Sequence, residues 1–337
     1  MITYPHMKKG ATIGVTATSS GVPLELHHIV KEASARLKER GYHLQCGETV
    51  WTQVKARSAS AEVRAEEFNR MMTDDQVDLI IPPWGGELLI EALEHLDFDS
   101  IQSKWILGYS DVSLLLLAVT LQTGMATAHG TNLVDLRGEE YDATTAMWEQ
   151  VLSTEAGEEV IQYSSEKYQK EWDFENPSPH VFHLNETTEW KSSTGQKVEV
   201  EGRLLGGCVD VIHHLVGTPY GDVATFRRQF VEEEPVLWFF ENCEMTTTDL
   251  KRALIQMKLA GWFEHCSGIL FGRSAANTPV EGYTAEDVYQ DLTEELGVPV
   301  IYEIDCGHVP PQLTLINGAY AKVETEDGKG KVTQWFK

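Results

Sequence analysis

Apolar residues in the first 130 positions alternate between short runs rich in β-branched residues and longer runs with helical spacing. The pattern predicts strands at 11–17, 43–46, 77–81, 105–109 and 125–129, and helices at 24–40, 59–72, 87–95 and 112–122. Strands that alternate with helices in this way predict a parallel sheet covered by helices on both faces. Such sheets bind their ligands beyond the carboxyl ends of the strands.

The pattern changes between about 138 and 202, where charged and polar residues predict a linker and a loop-rich or short-stranded segment. Regular spacing then returns from 202–207. It predicts helices at 209–216, 249–260 and 285–295, strands at 236–240, 268–271 and 298–304, and a terminal hairpin at 319–324 and 331–336. We therefore divide the chain into an N-terminal α/β domain (1–150), a linker and loop-rich segment (151–200), which the family resemblance described below implies is substrate-facing, and a C-terminal α/β domain (201–337).

Charge and cysteine content narrow the class of protein. The 337 residues include 27 Lys and Arg against 52 Asp and Glu, a formal net charge of −25. The electrostatic repulsion from this negative charge disfavours nucleic acid and anionic membranes as partners. The five cysteines show no CxxC spacing, which argues against a disulfide framework and a cysteine zinc site. The longest apolar stretch, 114–121, is far shorter than the roughly 20 residues of a membrane span. We expect a cytoplasmic protein.

The most informative segment runs from Trp105 to Gln122 and places Ser110 at a tight junction between a strand and a helix. Such a junction exposes a side-chain oxygen at the sheet edge, beside backbone N–H groups that can stabilise an oxyanion. A nucleophile at Ser110 is one interpretation. The other is that Ser110 or Asp111 only caps the helix.

Two later strands end in residues that complete an acyl-transfer triad. Glu241 ends the strand at 236–240, and His308 follows Gly307 after the strand at 298–304. Ser, His and Glu at strand ends are the parts of a nucleophile, base and acid system. Taken singly, Glu241 can also be a solvated strand end and His308 a hydrogen-bonded turn. The pair Gly85-Gly86 follows the third strand and allows close approach of the backbone to a ligand.

These segments together resemble the LD-carboxypeptidase family of serine peptidases, in the branch related to the microcin C immunity peptidase. The motifs that carry the resemblance are MKKGATIGVTATSS (7–20), PPWGGELLIEAL (82–93), ILGYSDVS (106–113), TAHG (127–130), VEGRLLGGC (200–208), LVGTPY (215–220), WFFENCE (238–244), GILFGR (268–273) and CGHVPPQLTLINGAYA (306–320). They cover nearly the whole chain, in the order of the family.

The resemblance implies a Rossmann- or flavodoxin-like N-terminal domain that carries the nucleophile and a smaller C-terminal α/β domain that carries Glu and His. It implies Ser110 as nucleophile, Glu241 as acid and His308 as base, with the backbone N–H groups of Asp111 and Gly86 as the oxyanion hole. It also implies a homodimer that uses no metal and no other cofactor.

Departures from the family pattern bear on the substrate. The branch that cleaves murein tetrapeptides usually reads Arg-Gly-Gly-Tyr-Gly where this chain reads WGGEL at 84–88. The long segment at about 138–200, with Trp172 and Trp190, is similar to the immunity branch, in which a loop aromatic residue stacks on the nucleobase of an aminoacyl-nucleotide. Trp190 and Gly85 are therefore expected to contact substrate. Cys208 replaces the Asn of that branch.

The expected function is that of a serine carboxypeptidase that hydrolyses an amide bond near the C-terminus of a small peptide or aminoacyl-nucleotide. Two alternatives stay open. One is cleavage of murein tetrapeptides by the same triad. The other is a two-domain protein that binds a small molecule in the interdomain cleft without catalysis.

Overall fold

The computed structural model describes residues 1–171, 177–195, 197–232 and 234–337, so Trp172 lies outside the described residues. In chain order, the described strands are β1 (Thr12–Val15), β2 (His43–Cys46), β3 (Leu79–Ile80), β4 (Trp105–Gly108), β5 (Thr127–His129), β6 (Glu159–Tyr163), β7 (Lys167–Tyr168), β8 (Glu186–Thr187), β9 (Lys191–Ser192), β10 (Lys197–Cys208), β11 (Val236–Glu241), β12 (Cys266–Gly272), β13 (Val300–Ile304), β14 (Leu315–Asn317), β15 (Tyr320–Glu326) and β16 (Lys329–Trp335).

Helices connect most of these strands. The described α-helices are α1 (His27–Glu39), α2 (Ala61–Thr73), α3 (Val112–Thr123), α4 (Met147–Leu152), α5 (Val209–Ile212), α6 (Val223–Phe226), α7 (Thr247–Leu259) and α8 (Ala285–Leu296). Short 3-10 helices occur at Leu24–Leu26, Glu48–Trp51, Leu89–His95, Phe98–Ser100, Leu133–Leu136, His213–Leu215 and Pro219–Gly221, and a π-helix at Arg227–Val231.

The first sheet has the strand order β14-β5-β4-β3-β1-β2. Strands β1 to β5 run parallel, as the alternation of strands and helices predicts, and β14 lies antiparallel to β5 at the edge. Leu315 pairs with His129 in that edge ladder. The C-terminal part of the chain therefore completes the N-terminal sheet.

The second sheet has the strand order β6-β16-β15-β10-β11-β12-β13-β9. Its centre, β10 to β13, is parallel, and the terminal hairpin β15-β16 adds antiparallel strands on one side. Strands β6 and β9 form the two edges. The segment predicted as a linker with short strands thus supplies both edges of this sheet.

Helix α3 lies between the two sheets and packs against β4, β5 and β10. Residues Val112 to Leu121 are all buried, and this location explains why the helix is apolar on every side. Gly124, with φ +70°, ends the helix in the left-handed conformation. Even so, none of the helices in the described ranges combines the length and the apolar character that a membrane span needs.

The mixed α/β fold with a parallel N-terminal sheet and a second C-terminal unit is confirmed. Three predicted helices differ in detail. The one at 24–40 begins with the 3-10 turn Leu24–Leu26 before α1, and the one at 87–95 is a 3-10 helix over Leu89–His95. The one at 209–216 divides into α5 and the 3-10 turn His213–Leu215. The domain boundaries at 150 and 200 stay a prediction.

Candidate active site

Ser110 occupies a strained turn between β4 and α3. Its φ of +65° lies in the left-handed region, which is costly for a residue other than glycine. The side chain of Asn132 supports the turn, because its Oδ1 accepts a hydrogen bond of 3.3 Å from the backbone N–H of Tyr109. A strand-to-helix turn of this kind presents a nucleophile at the carboxyl edge of a sheet.

The structure brings Ser110, His308 and Glu241 together. His308 Nε2 lies 3.0 Å from Ser110 Oγ, and His308 Nδ1 lies 2.8 Å from Glu241 Oε2. Gly307 makes this approach possible, since a Cβ atom there would lie 2.5 Å from the Glu241 side chain. Both distances are within the range of a nucleophile, base and acid that act as a unit.

Glu241 and His308 form a buried, mutually stabilising ion pair. Glu241 is fully buried, and the side chain of His308 is 22% exposed. Burial opposes the ionisation of Glu241, but the charge and hydrogen bond of His308, with smaller contributions from His129 and the Cys208 thiol, together lower the pKa of Glu241. Burial likewise acts to lower the pKa of His308, but the Glu241 carboxylate and a hydrogen bond with the Cys243 thiol raise this pKa well above its usual value. Glu241 therefore stays ionised and orients the imidazole.

Gly85 and Gly86 bring the backbone against the nucleophile. A Cβ atom at Gly85 would lie 2.5 Å from both Cβ and Oγ of Ser110, and one at Gly86 would lie 2.3 Å from Ser19 Oγ. Gly86 also has a φ of +148°, which glycine tolerates best. Gly85 therefore lies directly against the Ser110 turn, and the oxyanion hole formed by the N–H groups of Gly86 and Asp111 stays a prediction.

The side chain of Asp111 joins three loops at the sheet edge. Its Oδ2 accepts hydrogen bonds from the Ser19 hydroxyl and from the backbone N–H of Leu89, the latter at 2.9 Å. Its carboxylate accepts none from the first turn of its own helix α3. Helix capping is thus not what Asp111 does, and the Ser110 hydroxyl is directed to His308.

Two cavities meet at Ser110. The first, of about 470 Å³, is lined by aromatic, apolar and small polar residues: Ser20, Gly21, Pro23, Gln53, Trp84, Gly85, Gly86, Tyr109, Ser110, Asn132, Val134, Asp135 and His308. The second, of about 440 Å³, includes five acidic residues among its lining: Gly86, Glu87, Ile90, Ser110, Asp111, Leu114, Cys208, Asp210, Val211, His213, His214, Cys243, Glu244, Met245 and Asp249. Among these described lining residues, none is Lys or Arg.

Sequence reasoning missed several residues that shape the first cavity. The ring of Tyr109 packs edge-on against His308 with centroids 5.0 Å apart, and burial raises the pKa of its phenol well above normal, with the nearby Asp135 carboxylate adding to this. Trp84 is held by a 3.2 Å hydrogen bond from its indole N–H to the carbonyl of Gly21. A role for Trp84 could have been predicted from the sequence, because Trp84 directly precedes the Gly85-Gly86 pair.

Trp190 does not reach the site. Its side chain is 2% exposed and packs in the core of the second sheet, where its indole N–H donates to Asp305 Oδ2 at 2.9 Å. Gly330 makes room for the ring, because a Cβ atom there would lie 2.1 Å from it. Trp190 lines neither of the two cavities at Ser110. The expectation that Trp190 stacks on substrate is corrected: it is a packing residue.

Cys208 lies beside the acid. Strands β10 and β11 are parallel and in register, and Cys208 pairs with Glu241 at their ends. The ligand atoms of Cys208, Glu241 and His308 lie within 4.8 Å of one another. Among the described residues, this is the set of His, Cys, Asp or Glu side chains that could hold a metal ion.

Comparison with known proteins finds relatives along nearly the whole chain. The chain is 24% identical to the microcin C7 self-immunity protein of Escherichia coli, over 97% of this chain and 94% of the relative. It is 24% identical to a Bacillus subtilis protein named "Probable murein peptide carboxypeptidase", over 95% and 91%. A solved structure of the immunity protein, at 22% identity, superimposes with a TM-score of 0.83 and covers 100% of this chain and 99% of that one.

Family models match both parts of the chain. The LD-carboxypeptidase N-terminal domain matches residues 13–130, which include the Ser110 turn. The LD-carboxypeptidase C-terminal domain matches residues 201–323, which include Glu241 and His308. On these two matches, the chain belongs to the LD-carboxypeptidase family.

Proposed function

We propose that this protein is a serine carboxypeptidase in which Ser110, His308 and Glu241 hydrolyse an amide bond near the C-terminus of a small substrate. The observation that supports it best is the continuous path of hydrogen-bond distances, 3.0 Å from Ser110 to His308 and 2.8 Å from His308 to Glu241. The strained backbone at Ser110 adds support, since strain of this kind gathers at functional turns.

The chemistry follows from these positions. Neutral His308 accepts the hydroxyl proton through Nε2 while Ser110 Oγ attacks the carbonyl carbon. Backbone N–H groups of Gly86 and Asp111 stabilise the oxyanion. His308 then gives the proton to the leaving amine, and an acyl-serine remains. Water, activated by the same imidazole, hydrolyses this ester and restores the hydroxyl. Throughout, the Glu241 carboxylate compensates the charge that forms on His308.

The relatives suggest two substrate classes. Solved structures of the microcin C7 self-immunity protein hold aspartyl sulfamoyl adenosine and glutamyl sulfamoyl guanosine. In this chain Trp84 and Tyr109 give the first cavity aromatic surfaces that suit a nucleobase. We therefore propose aminoacyl-nucleotide amides as the first class. Murein tetrapeptides are the second, because a murein peptide carboxypeptidase name also occurs among the relatives.

The direct test compares Ser110→Ala with Ser113→Ala. Ser113 lies one turn into the same helix, is fully buried, and its hydroxyl has no hydrogen-bond partner among the described residues, which makes it a matched control. Products from a panel of L,D-peptides and aminoacyl-adenylate analogues are followed by mass spectrometry. We expect Ser110→Ala to remove turnover and Ser113→Ala to keep it. Full turnover by Ser110→Ala would eliminate the proposed nucleophile.

A serine-reactive phosphonate probe separates catalysis from simple binding. An activated Ser110 reacts with the probe, and the adduct is located by peptide mass spectrometry. A protein that only binds a small molecule in the same cavities leaves Ser110 unmodified. The homodimer and the cytoplasmic location are also proposals. Light scattering of the purified protein tests the first, and fractionation of source cells the second.

A further inference from the structure

The group formed by Cys208, Glu241 and His308 contains the three side-chain types that bind zinc most often. A thiol sulfur, a carboxylate oxygen and an imidazole nitrogen lie within 4.8 Å of one another. Ligand atoms that share one tetrahedral ion lie roughly 3 to 4 Å apart. The three ligand atoms therefore lie near the spacing at which they can share one ion.

The Glu241 carboxylate has few donors. Glu241 is fully buried, its Oε2 contacts His308, and apart from His308 its hydrogen-bond partner in the described ranges is the Cys208 thiol, a weak donor. A buried carboxylate with so few donors is costly, and a cation that replaces the thiol proton satisfies it. Register keeps Cys208 at this carboxylate, since the two residues pair across β10 and β11.

We propose that Cys208, Glu241 and His308 form an inhibitory binding site for a thiophilic divalent cation, of which Zn²⁺ and Cd²⁺ are the representatives. The donor set of one sulfur, one nitrogen and one oxygen favours such ions over Mg²⁺ or Ca²⁺, which prefer oxygen ligands alone. A water molecule completes the four-coordinate shell from the side of the second cavity.

The surroundings of the group favour a cation. Cys208 lines the second cavity and His308 lines the first, so the group is approached from the point where the two cavities meet. Five acidic residues line the second cavity: Glu87, Asp111, Asp210, Glu244 and Asp249. The net charge of −25 acts in the same direction at longer range.

Asp210 holds the Cys208 thiol in the metal-free protein. Its Oδ2 accepts a hydrogen bond of 3.4 Å from Cys208 Sγ, and the backbone N–H groups of Cys243 and Glu244 hold its carboxylate in place at 2.9 Å each. A metal-bound thiolate has no proton to donate, so Asp210 then contributes only its negative charge, which favours a cation nearby.

Metal binding here blocks the catalytic cycle, and this consequence rests on the proposed function. Cys208 Sγ donates its proton toward Asp210 Oδ2, and His308 Nδ1 donates its proton to Glu241 Oε2. The cation replaces both protons when it binds the imidazolium form of His308, and two protons are released. The remaining ring proton lies on Nε2, which faces Ser110 and then cannot accept the serine proton. The Glu241 contact to Nδ1 is lost at the same time.

Cadmium titration tests the site with a readout that does not need activity. Bound Cd²⁺ gives an ultraviolet sulfur-to-metal charge-transfer band, and calorimetry gives affinity and stoichiometry. We expect one ion per chain and the band in the wild type and in Cys266→Ala, whose thiol lies at the start of β12 away from the cavities. We expect Cys208→Ser to lose the band and to bind at least about 100-fold more weakly. Glu241→Gln is the second variant, and it should weaken binding while keeping the thiol.

The outcomes separate the two proposals. Cadmium binding of unchanged strength in both Cys208→Ser and Glu241→Gln, with native circular dichroism, overturns the metal site. A band that depends on Cys208, in a protein that neither turns over substrates nor labels at Ser110, supports the site and refutes the proposed function. Inhibition that a chelator reverses in the wild type, and that Cys208→Ser resists, supports the site and its effect on catalysis together.

Discussion

Substitution of Glu241 by Gln tests the electrostatic core of the proposed mechanism. Gln has nearly the same shape, so the fully buried position at the end of β11 keeps its packing. It has no charge, and its amide N–H can donate to His308 Nδ1 across the present 2.8 Å contact. The imidazole proton then moves to Nε2, which no longer accepts the proton of Ser110.

The expected loss is large. Removing the charge of the acid in a triad lowers kcat by roughly 10,000-fold, because the wrong tautomer faces the nucleophile. The pH profile should also change. Glu241 raises the pKa of His308, and activity needs the neutral imidazole, so wild-type activity falls as pH drops through this raised pKa. Without the carboxylate the pKa of His308 falls, and the acid limb of kcat/KM moves to lower pH.

The assay is steady-state hydrolysis of the best substrate of the panel over a range of pH. Glu199→Gln is the matched control, because Glu199 lies on the surface of the neighbouring strand β10 and pairs there with Lys322. A decrease of less than about tenfold at Glu241→Gln, worth under about 1.4 kcal/mol, would refute the role of the carboxylate. An acid limb that moves to higher pH would contradict the sign of the coupling.

Two further substitutions test positions on either side of the site. Gly85→Ala places a methyl group 2.5 Å from Ser110 Oγ, so we expect a loss of roughly 100-fold or more in kcat. The added methyl group should also lower stability by about 1 to 3 kcal/mol while circular dichroism stays native, and wild-type kcat would contradict the close approach. Trp190→Phe removes the 2.9 Å hydrogen bond to Asp305, so the free energy of unfolding measured with denaturant should fall by about 1 to 3 kcal/mol. KM should stay the same. A raised KM with unchanged stability would show that Trp190 contacts substrate after all.

Periodicity predicted the parts of the fold that local sequence determines. The parallel strands β1 to β5 and helix α3 follow from runs of apolar residues whose spacing is set by the backbone. The terminal hairpin also follows, because Asp327-Gly328 is a strong turn sequence. Each of these elements carries its own signal within about 10 residues.

Other features depend on contacts between distant segments. Strand β14 has only three residues, and its place beside β5 is fixed by pairing across nearly 190 positions of the chain. Trp190 lies in a polar segment, and its burial depends on the space left by Gly330. The position of Cys208 next to Glu241 depends on the register of β10 and β11. Sequence spacing contains none of this information.

Strand β14 has a consequence for how this protein can change. It ties the segment that carries His308 to the edge of the sheet that carries Ser110, through three paired residues at Leu315–Asn317. A gene fragment that ends before this strand encodes an N-terminal half with β5 as an open edge. The two halves therefore cannot be exchanged between relatives as independent modules. Recombination at the segment between them must preserve the β14 pairing, and the two halves are constrained to evolve together.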